Sequence, residues 1–293
     1  MKDKRRRPWL SVIVGSESLV SHAGGTLLVE TARRSGLAKE LSARLGRWRR
    51  PLATHDPGKI VLDLAIAVAL GGDTACDIAV LRAQPAVFGP VASDPTVSRL
   101  IARLAEDADA ALAAITGARA AARERVWTVA GAPTQDGRVV LDIDATLVDA
   151  HSEKEQASRT WKKGFGFHPL LGFVDHGFGG AGEPAAELLR PGRAGSNTAA
   201  DHVAVLDAAL AQIPEPLRRR DDSGRVAVLV RTDAAGATKE FAAHLARTGV
   251  NFSLGANLGH FDTHTALAAL PAAAWTPAYQ ARKPRAADQG VQI

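Results

Sequence analysis

The segment Arg138–Leu147, RVVLDIDATL, constrains this chain more than any other. Its β-branched apolar residues read as a core strand, yet two carboxylates, Asp142 and Asp144, interrupt it at i and i+2. Side chains alternate along a strand, so both point to one face, about 7 Å apart at ~3.3 Å rise per residue. Two like charges on a core strand are costly unless a cation sits between them. A hydrated Mg²⁺ or Mn²⁺ removes that cost, because hard cations take carboxylate oxygens. Metal-dependent phosphoryl chemistry is therefore the leading reading.

Length and composition narrow the field. The 293 residues have room for one large or two ordinary domains. A single cysteine, Cys76, rules out a disulfide framework or a multi-cysteine zinc site and fits a reducing cytosol. The strongest apolar stretch, Ile60–Leu70, is short and interrupted by Asp63, so no membrane span is expected. The basic start, Lys2–Arg7, lacks the apolar core of a signal peptide behind it. Charge is unevenly placed: residues 1–125 hold 19 Lys and Arg against 13 Asp and Glu, a net +6. The remainder holds 17 against 18, a net −1, giving +5 overall. A basic half that meets a polyanion and a near-neutral half that does chemistry would produce this asymmetry. An arginine-rich solvated surface is the plainer account.

Residues 1–125 read as helical. Lys59–Leu70 is apolar nearly all round and is expected to be buried, with Gly71-Gly72 stopping it and Asp73 capping a helix over Thr74–Ala83. Ser93-Asp94-Pro95 opens a further helix, expected to run to Ala114 and past Gly117 to Arg125. Thr96, Ser98, Arg99 and Arg103 would form its exposed face, the one that could enter a DNA groove. From Val126 strands alternate with helices. Strands are expected at Arg138–Val148, Phe165–Val174, Ala186–Leu189, Arg225–Arg231 and Val250–Leu254, with helices from Asn197 to Ala211 and over Thr238–Thr248. This pattern predicts an α/β chain: a helical N-terminal region, then a mixed sheet with flanking helices. After Trp275 periodicity is lost, and 280–293 reads as an unstructured tail.

A second carboxylate stands where α/β sheets place functional groups. Asp233 ends the apolar strand RVAVLVRT, 89 residues after Asp144. Carboxylates from neighbouring strand ends can clamp a metal pair ~3.5–4 Å apart across an in-line displacement at phosphorus. A lone strand-end aspartate is more often a turn former, so it is the D-x-D together with Asp233 that carries the functional reading.

The strings LDIDATLVDAHSEKEQA, KKGFGFHPLL, LLRPGRAGSNTAADH and VLVRTDAAG resemble bacterial insertion-sequence transposases of the DDE class, in the branch called insertion sequence thirteen-eighty. SHAGGTLLVE, HDPGKIVLDLAIAVALGGD and DIAVLRAQPAVFGPVASDPT extend the resemblance over roughly residues 8–279. It implies a ribonuclease-H-like catalytic domain over 126–279 behind a basic, DNA-binding 1–125. It also implies two metal-binding aspartates and a later glutamate around Mg²⁺ (or Mn²⁺), cutting double-stranded DNA at transposon ends and joining it to target DNA. By position the first aspartate is Asp144, which precedes A-T-L, and the second is Asp233. Asp142 stands as a supporting partner or an alternative ligand. No glutamate follows Asp233 at the family's spacing, since Glu240 is too close. The sheet is therefore expected to be incomplete, the chain truncated near Tyr279, and the isolated protein able to bind metal without cutting DNA. The resemblance further implies a cytoplasmic, nucleoid-associated protein that forms a homo-oligomer or pairs with a full-length transposase.

His151, Lys154, Lys162, Lys163 and His168 follow the first aspartate and are candidates for phosphate contact beside the metal strand. Solvated loop charge is the plain alternative. Trp161, Phe165 and Phe167 read as core or sheet-face packing rather than base-stacking platforms. The glycines Gly164, Gly166, Gly179, Gly180 and Gly182 form no dinucleotide-binding fingerprint. Two rival functions stand beside the transposase. Strand-D-x-D-x-T is also the first motif of haloacid-dehalogenase-type phosphatases, with Asp142 as nucleophile, Asp144 as acid/base and Thr146 on phosphate. The other is a non-catalytic DNA-binding remnant that inhibits transposition.

Overall fold

Helix signals dominate the first 130 residues and strand signals the rest, and the backbone divides the same way. The computed structural model describes residues 22–177, 182–255 and 263–275. The basic start Lys2–Arg7, the tail 280–293 and Gly179 and Gly180 lie outside the described residues. Helices α1 (Gly25–Arg34), α2 (Leu37–Arg44), α3 (Pro57–Ala69), α4 (Ile78–Arg82), α5 (Pro85–Phe88), α6 (Asp94–Ala105) and α7 (Ala108–Ala130) come first. They surround a hydrophobic cluster that includes Leu45, Ile78, Leu81, Phe88 and Leu100. Asp56 caps α3 by accepting from Lys59 N, with Pro57 in the first turn. The charge inside this apolar helix, Asp63, is almost fully buried and pairs with Lys59 Nζ at 2.6 Å, one turn away.

Two helical expectations are corrected. Thr74, rather than Asp73, leads the next turn, because Asp77 Oδ2 reaches back to the backbone N–H groups of both Asp73 and Thr74. The helix expected from Asp94 to Arg125 breaks at Asp107, whose φ of −141° and ψ of 63° are not helical. α7 then runs unbroken through residue 125. Where α2 and α3 cross, Gly58 lies so close to the neighbouring backbone that a Cβ would overlap Leu41 and Ser42. Backbone cannot give way as a side-chain tip can, so Gly58→Ala is expected to cost about 3 kcal/mol, measured by urea unfolding of the full chain.

The sheet begins with a tight hairpin. β1 (Thr134–Gln135) returns into β2 (Arg138–Ala145) through Asp136 and Gly137, with φ of 50° and 75°. That pair of positive φ values is what a two-residue hairpin turn of this hand requires. β3 (Val148–Asp149), β4 (Ser158–Arg159) and β5 (Phe165–Phe167) form a separate three-stranded sheet in the order β3-β5-β4. The main sheet continues with β6 (Leu170–Asp175) and β7 (Glu183–Leu188), then α8 (Ala199–Gln212), α9 (Glu215–Arg218), β8 (Val228–Thr232), α10 (Lys239–Thr248) and β9 (Asn251–Leu254). Two expected long strands are thus each divided. The first ends at Ala145 before β3, and the second splits into β5 and β6 at His168-Pro169, since proline supplies no ladder N–H.

The strand order is β7-β6-β2-β8-β9, antiparallel from β7 to β2 and parallel from β2 to β9. Alternation gives the sheet two unlike faces. Val139, Leu141, Ile143, Leu170, Val174, Val228 and Val230 pack against Val205, Leu206 and Ala209 of α8 and Phe241 and Leu245 of α10 in one cluster. The opposite face carries Asp142, Asp144, Phe173, Asp175 and Arg231, none of them fully buried. α7 joins the two cores, with Ala111 and Ala118 in the helical one and Trp127 in the sheet one. Residues 255–293 form a second unit, in which α11 (Thr263–Ala268) and a 3₁₀ turn, Ala272–Ala274, are described. Among the described residues no helix is long and apolar enough to cross a membrane.

Candidate active site

The parallel register of β2 and β8 pairs Val139 with Val228 and continues to Ile143 with Thr232. Asp144 follows Ile143 within β2, and Asp233 follows Thr232 just past the end of β8, so each stands one residue beyond the last paired position of the two neighbouring strands. Both are exposed. Asp144 Oδ1 accepts from Ala145 N at 2.7 Å, and Asp233 Oδ1 accepts from Ala235 N at 2.9 Å. The latter is a turn-forming bond and accounts for part of why an aspartate stands there. No cationic side chain pairs with either carboxylate among the described residues.

Asp142 has a different environment. Its two oxygens accept from Arg231 Nε at 2.6 Å and Nη2 at 2.7 Å, the forked geometry that suits a guanidinium. Arg231 Nη2 also reaches Asp175 Oδ2 at 2.6 Å. Asp142 first, and Asp175 after it, hold the Arg231 guanidinium well above its usual range. The like-charge cost of D-x-D is thus met in two ways on one strand. Asp142 is neutralised by a protein cation, and Asp144 is left open. The phosphatase alternative needs Asp142 as a free nucleophile, and both its oxygens are occupied.

The donor set at Asp144 and Asp233 suits a hard divalent cation. Two carboxylates face solvent without competing cations, and water can complete the shell. No group of three His, Cys, Asp or Glu side chains that could hold a metal occurs among the described residues.

The candidate DNA contacts fall into three places. Arg99 and Arg103 on α6 line a cavity of about 300 Å³ together with Arg49, Arg50 and His55. Arg99 is exposed, whereas Arg103 is half-buried with its Nε lacking a partner. Arg49 and Arg50 were not singled out from the sequence, although the run RWRR marks them. His151, Lys154, Lys162 and Lys163 are exposed on or beside the small sheet, His151 stacking on Phe165 at 5.9 Å between ring centroids. His168 is corrected as a DNA contact: it is only 4% exposed, with Nδ1 at 2.9 Å from Ala194 O. There it locks the small sheet to Arg190, whose Nε donates to His168 O. Phe167 is buried as expected, and Trp161 is not, being 69% exposed.

A mixed sheet in this order, helices on one face and two acidic residues at the ends of adjacent central strands, define a ribonuclease-H-like α/β domain of nucleic-acid-processing type. The chain belongs to the family described as Transposase DDE domain group 1, which matches residues 5–290. The match extends past Tyr279, where the resemblance read from the sequence ended. No curated protein matches the chain. It is a transposase-family protein, and DNA is its substrate class.

Proposed function

We propose that this chain acts at the ends of an insertion sequence of the thirteen-eighty branch, cutting DNA there and joining the freed 3′ hydroxyl to target DNA. The observation that supports the reading is that Asp144 and Asp233, both exposed, each follow the last paired residue, Ile143 or Thr232, of the neighbouring parallel strands β2 and β8. In this reading the two aspartates hold Mg²⁺ or Mn²⁺. The bound metal supplies charge stabilisation at the reacting phosphate. Asp142 acts through Arg231, tying β2 to β8 just ahead of Asp144 and Asp233. Residues 1–125 form the basic DNA-binding region, with Arg99 and Arg103 reaching phosphates, and the sheet forms the catalytic region. His151, Lys154, Lys162 and Lys163 extend the basic surface beyond Asp144.

A second reading, a DNA-binding remnant without catalysis, is favoured by the absence of a three-ligand acidic cluster among the described residues. One experiment separates the two. The full chain is incubated with labelled duplex carrying the element's ends, with and without Mn²⁺, after binding is measured by anisotropy. Duplex affinity is expected to fall by about a hundredfold or more between 50 and 200 mM salt, as for several phosphate contacts. Cleavage that requires Mn²⁺ supports the catalytic reading, and tight binding without cleavage supports the remnant. No duplex binding at low salt would overturn both.

A further inference from the structure

We infer that Trp161, at the tip of the β4–β5 hairpin, is a stacking platform for an unpaired base in the DNA bound along this ribbon. The inference rests on the DNA-processing reading above and adds a ligand to it.

The hairpin is a continuation of the catalytic strand. β2 pairs with β6 as Ala145 with Leu170, and β3 pairs with β5 as Val148 with Phe167 and Asp149 with Gly166. These pairs keep one antiparallel register, so the ribbon that carries Asp144 extends straight into the small sheet, joined by Thr146 N to Pro169 O at 3.1 Å. Asp144 faces Leu171, so the register sets the turn that ends at Lys163 eight residues beyond Asp144, about 26 Å along the ribbon at ~3.3 Å per residue.

The tip itself is built unusually. Thr160 is buried and anchors it, its Oγ1 accepting from Gly164 N at 3.0 Å, while Lys163 N donates to Thr160 O at 3.0 Å to close the turn. Arg193 N donates to Ser158 Oγ at 3.1 Å and Pro191 bridges to Phe167, which fixes the hairpin from behind. On this rigid base stand Trp161, Lys162 and Lys163, all exposed. Trp161 leaves 69% of its surface in water, a poor use of the largest apolar side chain in a purely structural turn. Lys162 Nζ lies 5.0 Å from its ring centroid. Lys163 has a φ of 67°, where this type of hairpin loop ordinarily uses glycine. This backbone position holds the Lys163 side chain at the tip beside Trp161 and Lys162. Arg159, Lys162 and Lys163 all lie on the hairpin, whose nearest carboxylate is Asp149 of β3, packed against Gly164 behind the tip.

An exposed indole framed by cations on a stiff arm suits a nucleobase. The cations meet the phosphates and the ring offers a face to any base. The base must be unpaired, because the faces of a paired base are covered within the stack.

The test measures binding of the full chain, by anisotropy, to two duplexes of one sequence, one fully paired and one with a short central mismatched bubble. The wild type is expected to prefer the bubble. Trp161→Ala should lose roughly tenfold in bubble affinity, within the range of one base–aromatic stack, with paired-duplex affinity and melting temperature unchanged. Trp161→Phe should keep most of the preference. 2-Aminopurine placed in the bubble should be quenched by the wild type and not by Trp161→Ala. An alanine variant that weakens both duplexes equally, or neither, overturns the stacking role while leaving DNA binding intact. Failure of the wild type to bind even paired duplex at low salt removes the DNA-processing reading, and the stacking role with it.

Discussion

Alanine at Asp144 or at Asp233 is expected to reduce Mn²⁺-dependent cleavage of end-bearing DNA to background, a loss of at least about a thousandfold, because in-line transfer depends on metals held in tight geometry. The same substitutions should remove the weak Mn²⁺ binding that two carboxylates and water provide, read by calorimetry or by the Mn²⁺ electron-resonance signal. Duplex affinity should stay within about threefold, since neither carboxylate neutralises phosphate. Asp142→Ala is the control that separates the two aspartates of D-x-D. It frees Arg231 from its main partner and should lower stability modestly, because the pair is about 40% exposed on both sides. It should nonetheless leave Mn²⁺ binding in place. Metal binding lost with Asp142 and kept without Asp144 would reverse the assignment.

That assignment shows where sequence reasoning reached and where it stopped. The alternation in RVVLDIDA was enough to place both carboxylates on one face, because side-chain period in a strand is a local property. Asp233 was legible as a strand end for the same reason. Arg231 was missed as Asp142's partner, yet a signal existed. If Asp144 and Asp233 are level on parallel strands, residues two back on each strand are also level, and both pairs are 89 apart. Register, once assumed, delivers the ion pair that local periodicity cannot.

The small sheet was opaque for a different reason. β3 and β4 are two residues long and carry no usable period, so they depend on backbone pairing that the sequence does not advertise. Trp161 was read as packing because tryptophan is mostly buried on average. The turn at Trp161–Lys163 lacks the glycine that would have marked a hairpin, and that same absence makes the tip informative once its backbone is seen. His168 erred in the opposite direction. A histidine among lysines reads as part of a charged surface, whereas Arg190 and Ala194, more than twenty residues on, draw it inside.

Arg123→Met is expected to destabilise the chain by about 3 kcal/mol, near the lower end for breaking a buried ion pair, because Arg123 links the two cores. The side chain is 3% exposed and engages two other elements at once, β7 and α8. Its Nε meets Glu183 Oε1 at 2.6 Å on β7, and its Nη1 donates to Gln212 Oε1 at 2.9 Å at the end of α8. Nη2 donates to Pro184 O at 3.0 Å. Gln212 passes the connection back to α7 through its Nε2 on Thr116 O at 3.2 Å. Methionine fills much of the volume and strands those acceptors. Glu183, about 30% exposed, recovers part of its solvation, which keeps the cost from being larger. For a unit of this size the loss corresponds to a fall of roughly 6–12 °C in Tm. Arg123→Lys should recover only part of it, because one ammonium cannot reproduce a planar fork reaching two elements. Since α7 has its first half in the helical core and its last turns in the sheet core, the melting transition of Arg123→Met should also broaden or split. A sharp single transition within about 2 °C of wild type would show that the two cores are held together elsewhere, along the apolar contacts of α7.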